Sequence, residues 1–546
     1  MVYIMEVVPG KTVREMAREA QKHFDSEIVA VELDHEIRDL QSEIGQAAQI
    51  EFIPLNSQPG WQVYQRSVVF LLITAVHELY PSAEVIAQFS ANKGLFCEIR
   101  LPDRELDEAT VHCIEARMRR IISENRPIRK ESLSREMAVR LFKESKQIEK
   151  ANLIAALEQP TVSIYRCGDF YDYLYGAMLP ETRGLDRFAL DFEAPGILLR
   201  TPDMGTDGAV RERIPQPKLS HILSESKRWA QILHCNYVTD LNRANRNGQI
   251  GDIIRVSEAL QEKRIAQIAD HIAAERKMLR LILIAGPSSS GKTSFAQRLR
   301  IQLRVNGLEP VSISLDDFFR PRVETPRNEK GEYDYECLGA LDTDLFNQDM
   351  VDLLAGREVI LPRYNFITGE REWQTDAPLA VNENQPIIVE GIHGLNEALS
   401  QAVPRDRKYK IYISALTQLN IDAHNRIPTT DARLMRRLVR DYQFRGAHAL
   451  KTLRQWPDVR EGEEKNIFPF QEEADVMFNS ALIYELGILK KYAKPLLEKI
   501  PPEVPEHAKA RRLLDFCTYF DDIQAENEVP NNSLLREFIG KSVFFQ

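Results

Sequence analysis

The chain has 546 residues, of which 43% are hydrophobic and 28% charged, a composition expected of three or four soluble globular domains. No apolar run reaches the length of a membrane span, and a net charge of −10 argues against a polycation built to seek nucleic acid, although a local basic face would suffice for RNA. The six cysteines (Cys97, Cys113, Cys167, Cys235, Cys337, Cys517) are scattered without CxxC spacing, which argues against a zinc ribbon or a disulfide frame and for free thiols in a reducing cytoplasm.

The N-terminus, MVYIMEVVPGKTV, lacks a charged stretch followed by an apolar core, so no secretory signal is expected. Residues 1–60 read as a small α/β unit. An extended first segment leads through Pro9 and Gly10 to Thr12, which with Glu15 has the spacing of a capping box. The helix expected over 13–24 places Val13, Met16, Ala17 and Ala20 on one face, and short strands are expected at Ile28–Leu33 and Ile50–Pro54. This unit carries five Lys/Arg against eleven Asp/Glu, a solvated acidic face that gives RNA binding no support from charge.

Residues 61–205 read as a second α/β domain. An apolar helix is expected over Arg66–Leu79, ended by Pro81, then charged helices over Glu105–Lys150. Strands are expected at Thr161–Tyr165, Phe188–Phe192 and Gly196–Leu199. Residues 206–278 are polar and helical in pattern, closing with Leu260, Ile265, Ile268 and Ile272 on one face, and read as a helical connector.

From 279 the pattern becomes strand, loop, helix. Leu281–Ala285 is a continuous apolar strand, a Gly/Ser loop follows, and a helix is expected over 292–305. Buried strands are expected at Val311–Leu315, Ile387–Val389 and Lys410–Ser414. Alternation with helices implies a doubly wound parallel sheet over 279–500, with a helical extension over 501–546.

The loop Gly286-Pro287-Ser288-Ser289-Ser290-Gly291-Lys292-Thr293, followed by Ser294, fits GxxxxGK[ST] in full. Its glycines let the backbone wrap a phosphate, and the helix behind it presents its positive end. Lys292 can reach the β/γ oxygens, and the Thr293 hydroxyl can hold Mg²⁺. Carboxylates fall just past two further strands: Asp316 and Asp317 after Val311–Leu315, and Glu390 after Ile387–Val389. Ligands bind at such strand ends. Arg433, Arg436, Arg437 and Arg440 form a helical stripe, followed by Arg445, suited either to solvent or to clamping a transferred phosphoryl group. Within an extended segment, Ser314 and Asp316 would share a face and Asp317 would point away.

The order GPSSSGKTS, SLDDFF, YDYE, PRYNF, VEGI, RLMRRLVRD, RG and QW resembles the uridine kinase branch of the phosphoribulokinase/uridine kinase family over 279–480. The resemblance implies an ATP- and Mg²⁺-dependent kinase of a nucleoside 5′-hydroxyl. It makes Asp316 the base, Glu336 the holder of the ribose hydroxyls, and Thr293 and Glu390 the Mg²⁺ ligands. Arg437 would lie near the nucleoside, Arg440 and Arg445 on the ATP phosphates. Tyr364 and Phe366 would lie around the base with Arg371 just beyond, and Phe319 and Tyr335 would flank the nucleoside. The base-contacting His of pyrimidine enzymes falls at Gly369, so one base-directed hydrogen bond is expected to be missing. The motif Glu390-Gly-Ile-His393-Gly is also similar to phosphoribulokinases, making a sugar phosphate the alternative acceptor, and His393 itself is expected to be a packed or capping histidine, not a catalytic one. A protein that only senses ATP and regulates or binds RNA is the other alternative.

The front half resembles threonyl-tRNA synthetase. Residues 1–60 resemble its β-grasp TGS domain through PGKTVREMA, and 61–205 its editing domain through SVVFLLITAVHELYP and YRCGDFYDYLYGAMLP. The resemblance puts Phe70, Thr74, Leu174 and Met178 where editing enzymes hold His and Cys, so the domain is expected to be catalytically vacant. Homo-oligomerisation and RNA binding by this half stay open.

Overall fold

The computed structural model describes residues 3–545, apart from 9, 34, 45–48, 205 and 329–330. The first turn expected at Pro9 therefore lies partly outside the described residues. Thr12 caps helix Val13–Ala20 through the expected capping box: Glu15 N–H donates to Thr12 Oγ1 at 3.2 Å, and Thr12 N–H donates to the Glu15 carboxylate at 2.8 Å. The expected helix stops short, and Gln21–His23 tightens into a 3₁₀ turn. Val13, Met16, Ala17 and Ala20 are buried on an antiparallel sheet ordered Ile4–Glu6, Gln49–Pro54, Ile28–Leu33, Glu36–Arg38.

The next helix runs Gln58–Leu79, capped by Ser57, so the expected boundary at 60/61 falls in its first turn. Pro59 and Gly60 stand in the first turn of this helix. A proline is tolerated there because first-turn N–H groups have no helical partner. A Cβ on Gly60 would lie 2.2 Å from the Pro54 carbonyl oxygen, so only glycine allows the helix to start against the preceding strand. Val29, Ala30 and Ile53 of the first unit share one apolar core with this helix.

The stretch expected to be helical over 105–150 contains a strand, Arg129–Ser134, between helices Glu108–Ser123 and Arg135–Glu144. Its residues, RKESLS, are largely solvated and carry no apolar alternation. Pairing with Thr161–Cys167, and not propensity, makes it a strand. A second antiparallel sheet joins Ala189–Glu193, Gly196–Arg200, Gly94–Arg100 and Glu84–Ala91.

The helical connector is not a spacer. Its last helix, Ile250–Ala274, buries Ile265, Ile268 and Ile272 against Phe295 and Leu299 of the phosphate-loop helix, Lys292–Val305. Buried Arg298 pairs with Glu262 across the same contact. Behind them stands a five-stranded parallel sheet ordered Val311–Ser314, Ile387–Glu390, Leu281–Ala285, Lys408–Ser414, Val476–Asn479. Ile284 and Ser314 both register with Glu390, so the carboxyl ends of three strands open together on one crevice. The C-terminal extension is likewise built in: Leu534 packs with Phe295, while Leu535 and Phe538 pack with Leu438 of the arginine helix, Thr429–Arg445. Among the described residues no helix is long and apolar enough to cross a membrane.

Candidate functional site

The phosphate loop is shaped by close approach. A Cβ on Gly286 would lie 2.0 Å from the Ile413 carbonyl oxygen, and Gly291 adopts φ +83° to start the helix. The Lys292 ammonium curls over the loop and donates to the carbonyls of Gly286 and Pro287 at 2.9 and 3.2 Å. Burial pushes its pKa down, opposed chiefly by Glu390. The Thr293 hydroxyl lies 3.1 Å from each Glu390 carboxylate oxygen, which brings the two expected Mg²⁺ ligands together. Burial raises the Glu390 pKa to about 7, with Glu537 and Asp316 adding repulsion and Lys292 opposing.

Arginines brace the loop from behind. Arg433 Nε donates to the Ser288 carbonyl at 3.0 Å and pairs with buried Glu463, whose Oε1 accepts from Ser288 N–H at 2.9 Å. Arg436 is wholly buried, pairs with Glu485 at 2.5 Å and donates to the Ser289 carbonyl at 3.3 Å. These two members of the stripe are therefore neither a solvated face nor a phosphoryl clamp. Arg437 Nη1 donates to Ser288 Oγ at 2.8 Å. Asp441, also buried, gathers Arg437, Arg440 and Arg445 at 3.2, 2.9 and 3.8 Å, so three cations share one carboxylate. Glu463 and Asp441 were missed in sequence because both stand in charged helical runs that read as solvent faces.

Residues Leu315–Phe318 form a 3₁₀ turn, not an extension of the strand, which corrects the alternating-face argument for Asp316 and Asp317. Ser314 Oγ caps the turn, accepting from Asp316 N–H at 3.3 Å. Solvent reaches the Asp316 carboxylate from the cleft mouth while protein surrounds it. That desolvation raises its pKa, opposed by Lys292 and Arg445. Burial raises the Asp317 pKa too, but its stabilising neighbours are the Tyr364 backbone and Arg363. The two acids thus sit in different fields, and only Asp316 shares that of the phosphate loop.

Glu336 stands across the cleft. Burial and Glu463 raise its pKa, against Lys292 and Arg437. Gly462 gives it room: a Cβ there would meet Glu336 Cγ at 3.0 Å. His393 is packed as expected, and burial lowers its pKa to about 4. The expected aromatics do converge. Phe319 lies 6.0 Å from Tyr335, 5.5 Å from Tyr364 and 6.2 Å from Phe366, centroid to centroid. Arg371 is committed elsewhere, to Asp342 at 2.9 Å and the Phe319 carbonyl at 3.1 Å, so it braces the aromatic wall from behind. The space over Gly369 is taken by Arg322, a residue absent from the sequence reading.

Ser294 N–H and hydroxyl donate to Glu537 Oε2 at 3.2 and 2.7 Å, placing a C-terminal carboxylate on the phosphate-loop helix. In the front half, Phe70, Thr74, Leu174 and Met178 are all buried, and the Thr74 hydroxyl donates to the Phe70 carbonyl at 2.8 Å.

Residues 281–483 match the Phosphoribulokinase / Uridine kinase family. The N-terminal part is similar to threonine–tRNA ligases: 34% identical over 163 residues to that of Syntrophotalea carbinolica, covering 30% of this chain and 26% of that protein. The ligase of Acidithiobacillus ferrooxidans is 33% identical over 186 residues, covering 34% of this chain and 28% of that protein. The chain thus spans little more than a quarter of the length of these ligases. A solved structure described as a possible uridine kinase from Bacillus stearothermophilus aligns with 40% of this chain and 98% of its own, at 20% identity and a TM-score of 0.28.

Proposed function

We propose that the chain is a kinase that transfers the γ-phosphoryl of ATP to the 5′-hydroxyl of a nucleoside. The observation that carries this reading is that Asp316 lies in the field of Lys292 and Arg445, acts on Glu390 of the Thr293–Glu390 pair, and stands on the turn that leads into Phe319 of the aromatic cluster of Phe319, Tyr335, Tyr364 and Phe366.

The Thr293 hydroxyl and the Glu390 carboxylate are hard oxygen donors side by side, which suits a magnesium ion that keeps its remaining positions for water and phosphate. Bound there, the ion would neutralise charge on the phosphate oxygens. The chain's own groups do the rest. Asp316 accepts the proton of the 5′-hydroxyl and orients its oxygen, while Glu336 accepts from the sugar hydroxyls. Lys292 leaves the loop carbonyls for the phosphates, and Arg440 and Arg445 carry spare positive charge beside Asp441. Catalysis of this kind is positioning and charge stabilisation. A cluster of rings set edge to face offers flat apolar surface, which favours a planar base over the sugar-phosphate alternative.

The experiment is a phosphorylation screen of purified full chain with MgATP against ribo- and deoxyribonucleosides and ribulose 5-phosphate. Turnover of nucleosides supports the reading, and turnover of ribulose 5-phosphate alone transfers the activity to the sugar-phosphate class.

A further inference from the structure

At the far end of the aromatic cluster from the phosphate loop, the chain builds a hairpin from Pro362–Asn365 and Glu370–Trp373, whose turn carries Phe366 and Gly369. Gly369 sits at φ +77°, and the volume a side chain would fill there is occupied by the Arg322 guanidinium: a Cβ would lie 2.7 Å from both Cζ and Nε. Arg322 is pinned rather than trailing. Its backbone N–H donates to the Gly369 carbonyl at 2.8 Å, and its Nη2 donates to the Phe366 carbonyl at 3.0 Å. A hydrogen bond with the Tyr335 phenol raises its pKa, with Tyr364 adding to the field. A fixed cation therefore stands among three of the four rings that form the acceptor pocket.

A guanidinium has five N–H donors and no acceptor. It can meet the edge of a base that presents a carbonyl oxygen, and it opposes an edge that presents an exocyclic amino group, where donor would face donor. A group able both to donate and to accept would serve either edge; Arg322 cannot. Resting on the nucleoside-kinase reading above, we propose that Arg322 is a specificity-determining residue that selects nucleosides with an oxo group at the base edge, uridine, inosine and guanosine, over their amino counterparts, cytidine and adenosine.

The test is kcat/KM of the full chain for uridine against cytidine, and for inosine and guanosine against adenosine. Each oxo nucleoside should lead its amino partner by about 10- to 100-fold, because an unpaired polar edge is rejected strongly. In Arg322→Met the lead should shrink to about threefold or less, through a higher KM for the oxo nucleosides with kcat held. Arg322→Lys, which keeps the charge and loses the fork, should fall between the two. Cytidine or adenosine used as well as its partner by the unaltered chain overturns the inference while the nucleoside reading stands, and needs no variant to fold. Discrimination retained in a folded Arg322→Met chain also overturns it. Failure to phosphorylate any nucleoside overturns both.

Discussion

Glu537, on the last helix of the chain, accepts hydrogen bonds from the backbone N–H and the hydroxyl of Ser294, in the first turn behind the phosphate loop. Ser294 is wholly buried beneath it. First-turn N–H groups of such a helix are donors a bound phosphate uses, so a carboxylate already holds one of them. It also adds repulsion at Glu390. Glu537→Gln keeps the shape and removes the charge. MgATP affinity measured by calorimetry should rise roughly fivefold, about 1 kcal/mol. A weaker affinity would mean that the carboxylate instead orders the loop for nucleotide.

The parts of this site that follow one local rule were legible in sequence. The glycines of 286–293 and the strand Leu281–Ala285 obey short-range requirements of backbone approach and burial, and the acids at 316 and 390 fall at strand ends. What escaped is what the fold brings from afar. Glu537 reaches Ser294 from 243 residues away, and Glu463 reaches Ser288 from 175. Arg322 fills the space of Gly369 across 47 positions of sequence. Arg436 shows the converse failure: its spacing with Arg433, Arg437 and Arg440 is that of a solvent stripe, and only the packing of Phe538 and Glu485 over it buries it.

That burial separates the arginines experimentally. Arg436→Met strands the Glu485 carboxylate in the core, a loss of about 3–5 kcal/mol in unfolding free energy. Arg445 is largely solvated, so Arg445→Ala should change stability by less than about 0.5 kcal/mol. Turnover with the best acceptor should nonetheless fall at least roughly tenfold for Arg445→Ala, as expected of a cation acting on transferred phosphoryl oxygens. Denaturant unfolding and steady-state rates on the two variants decide it. Equal effects of both on stability would refute the division.

The front half is tied to the phosphate-loop half through Asp172, wholly buried, which pairs with Lys150 and, at 2.6 Å, with His424 Nδ1. Burial raises its pKa, but His424 and Lys150 outweigh that and hold the folded value at about 2. Because the folded pKa lies below the unfolded one, the unfolded chain takes up the proton first as pH falls. The contribution is complete above about pH 4 and is lost as pH falls towards about 2. Asp172→Asn should therefore lower unfolding free energy by about 3–5 kcal/mol at pH 5, a loss that shrinks as pH falls from 5 towards about 2. A penalty that stayed constant between about pH 5 and pH 3 would contradict the assignment.

Phe70, Thr74, Leu174 and Met178 fill the interior of the domain that resembles a synthetase editing module. None offers an imidazole or a thiolate to hold zinc or to accept a proton at neutral pH, and the one hydroxyl is spent on the Phe70 carbonyl. The full chain should leave Ser-tRNA(Thr) intact at the buffer rate, followed by acid precipitation of labelled aminoacyl-tRNA. Deacylation above that rate, retained in Lys292→Ala, would place an esterase in this half.

The last prediction separates two adjacent acids. Asp316 and Asp317 share a 3₁₀ turn, so no strand alternation divides them; their surroundings do. Lys292 and Arg445 act on Asp316, whereas the Tyr364 backbone and Arg363 act on Asp317. Asp316→Asn keeps the shape but removes the proton acceptor and the charge that orients the acceptor hydroxyl, so turnover should drop ~10²–10⁴-fold. MgATP affinity should hold or rise slightly, because the loop is untouched and a like charge near the phosphates is gone. Asp317→Asn should cost less than about tenfold, through a looser turn against Tyr364. Both variants also bear on pH. Burial raises the Asp316 pKa, so the unaltered chain should lose activity on the acid side as this carboxylate is protonated, with the midpoint above that of an ordinary aspartate. With saturating Mg²⁺, which keeps Glu390 ionised, the residual rate of Asp316→Asn should lose that acidic limb and that of Asp317→Asn retain it. An acidic limb that vanishes with Asp317 instead would move the base by one residue and reverse the assignment of this turn.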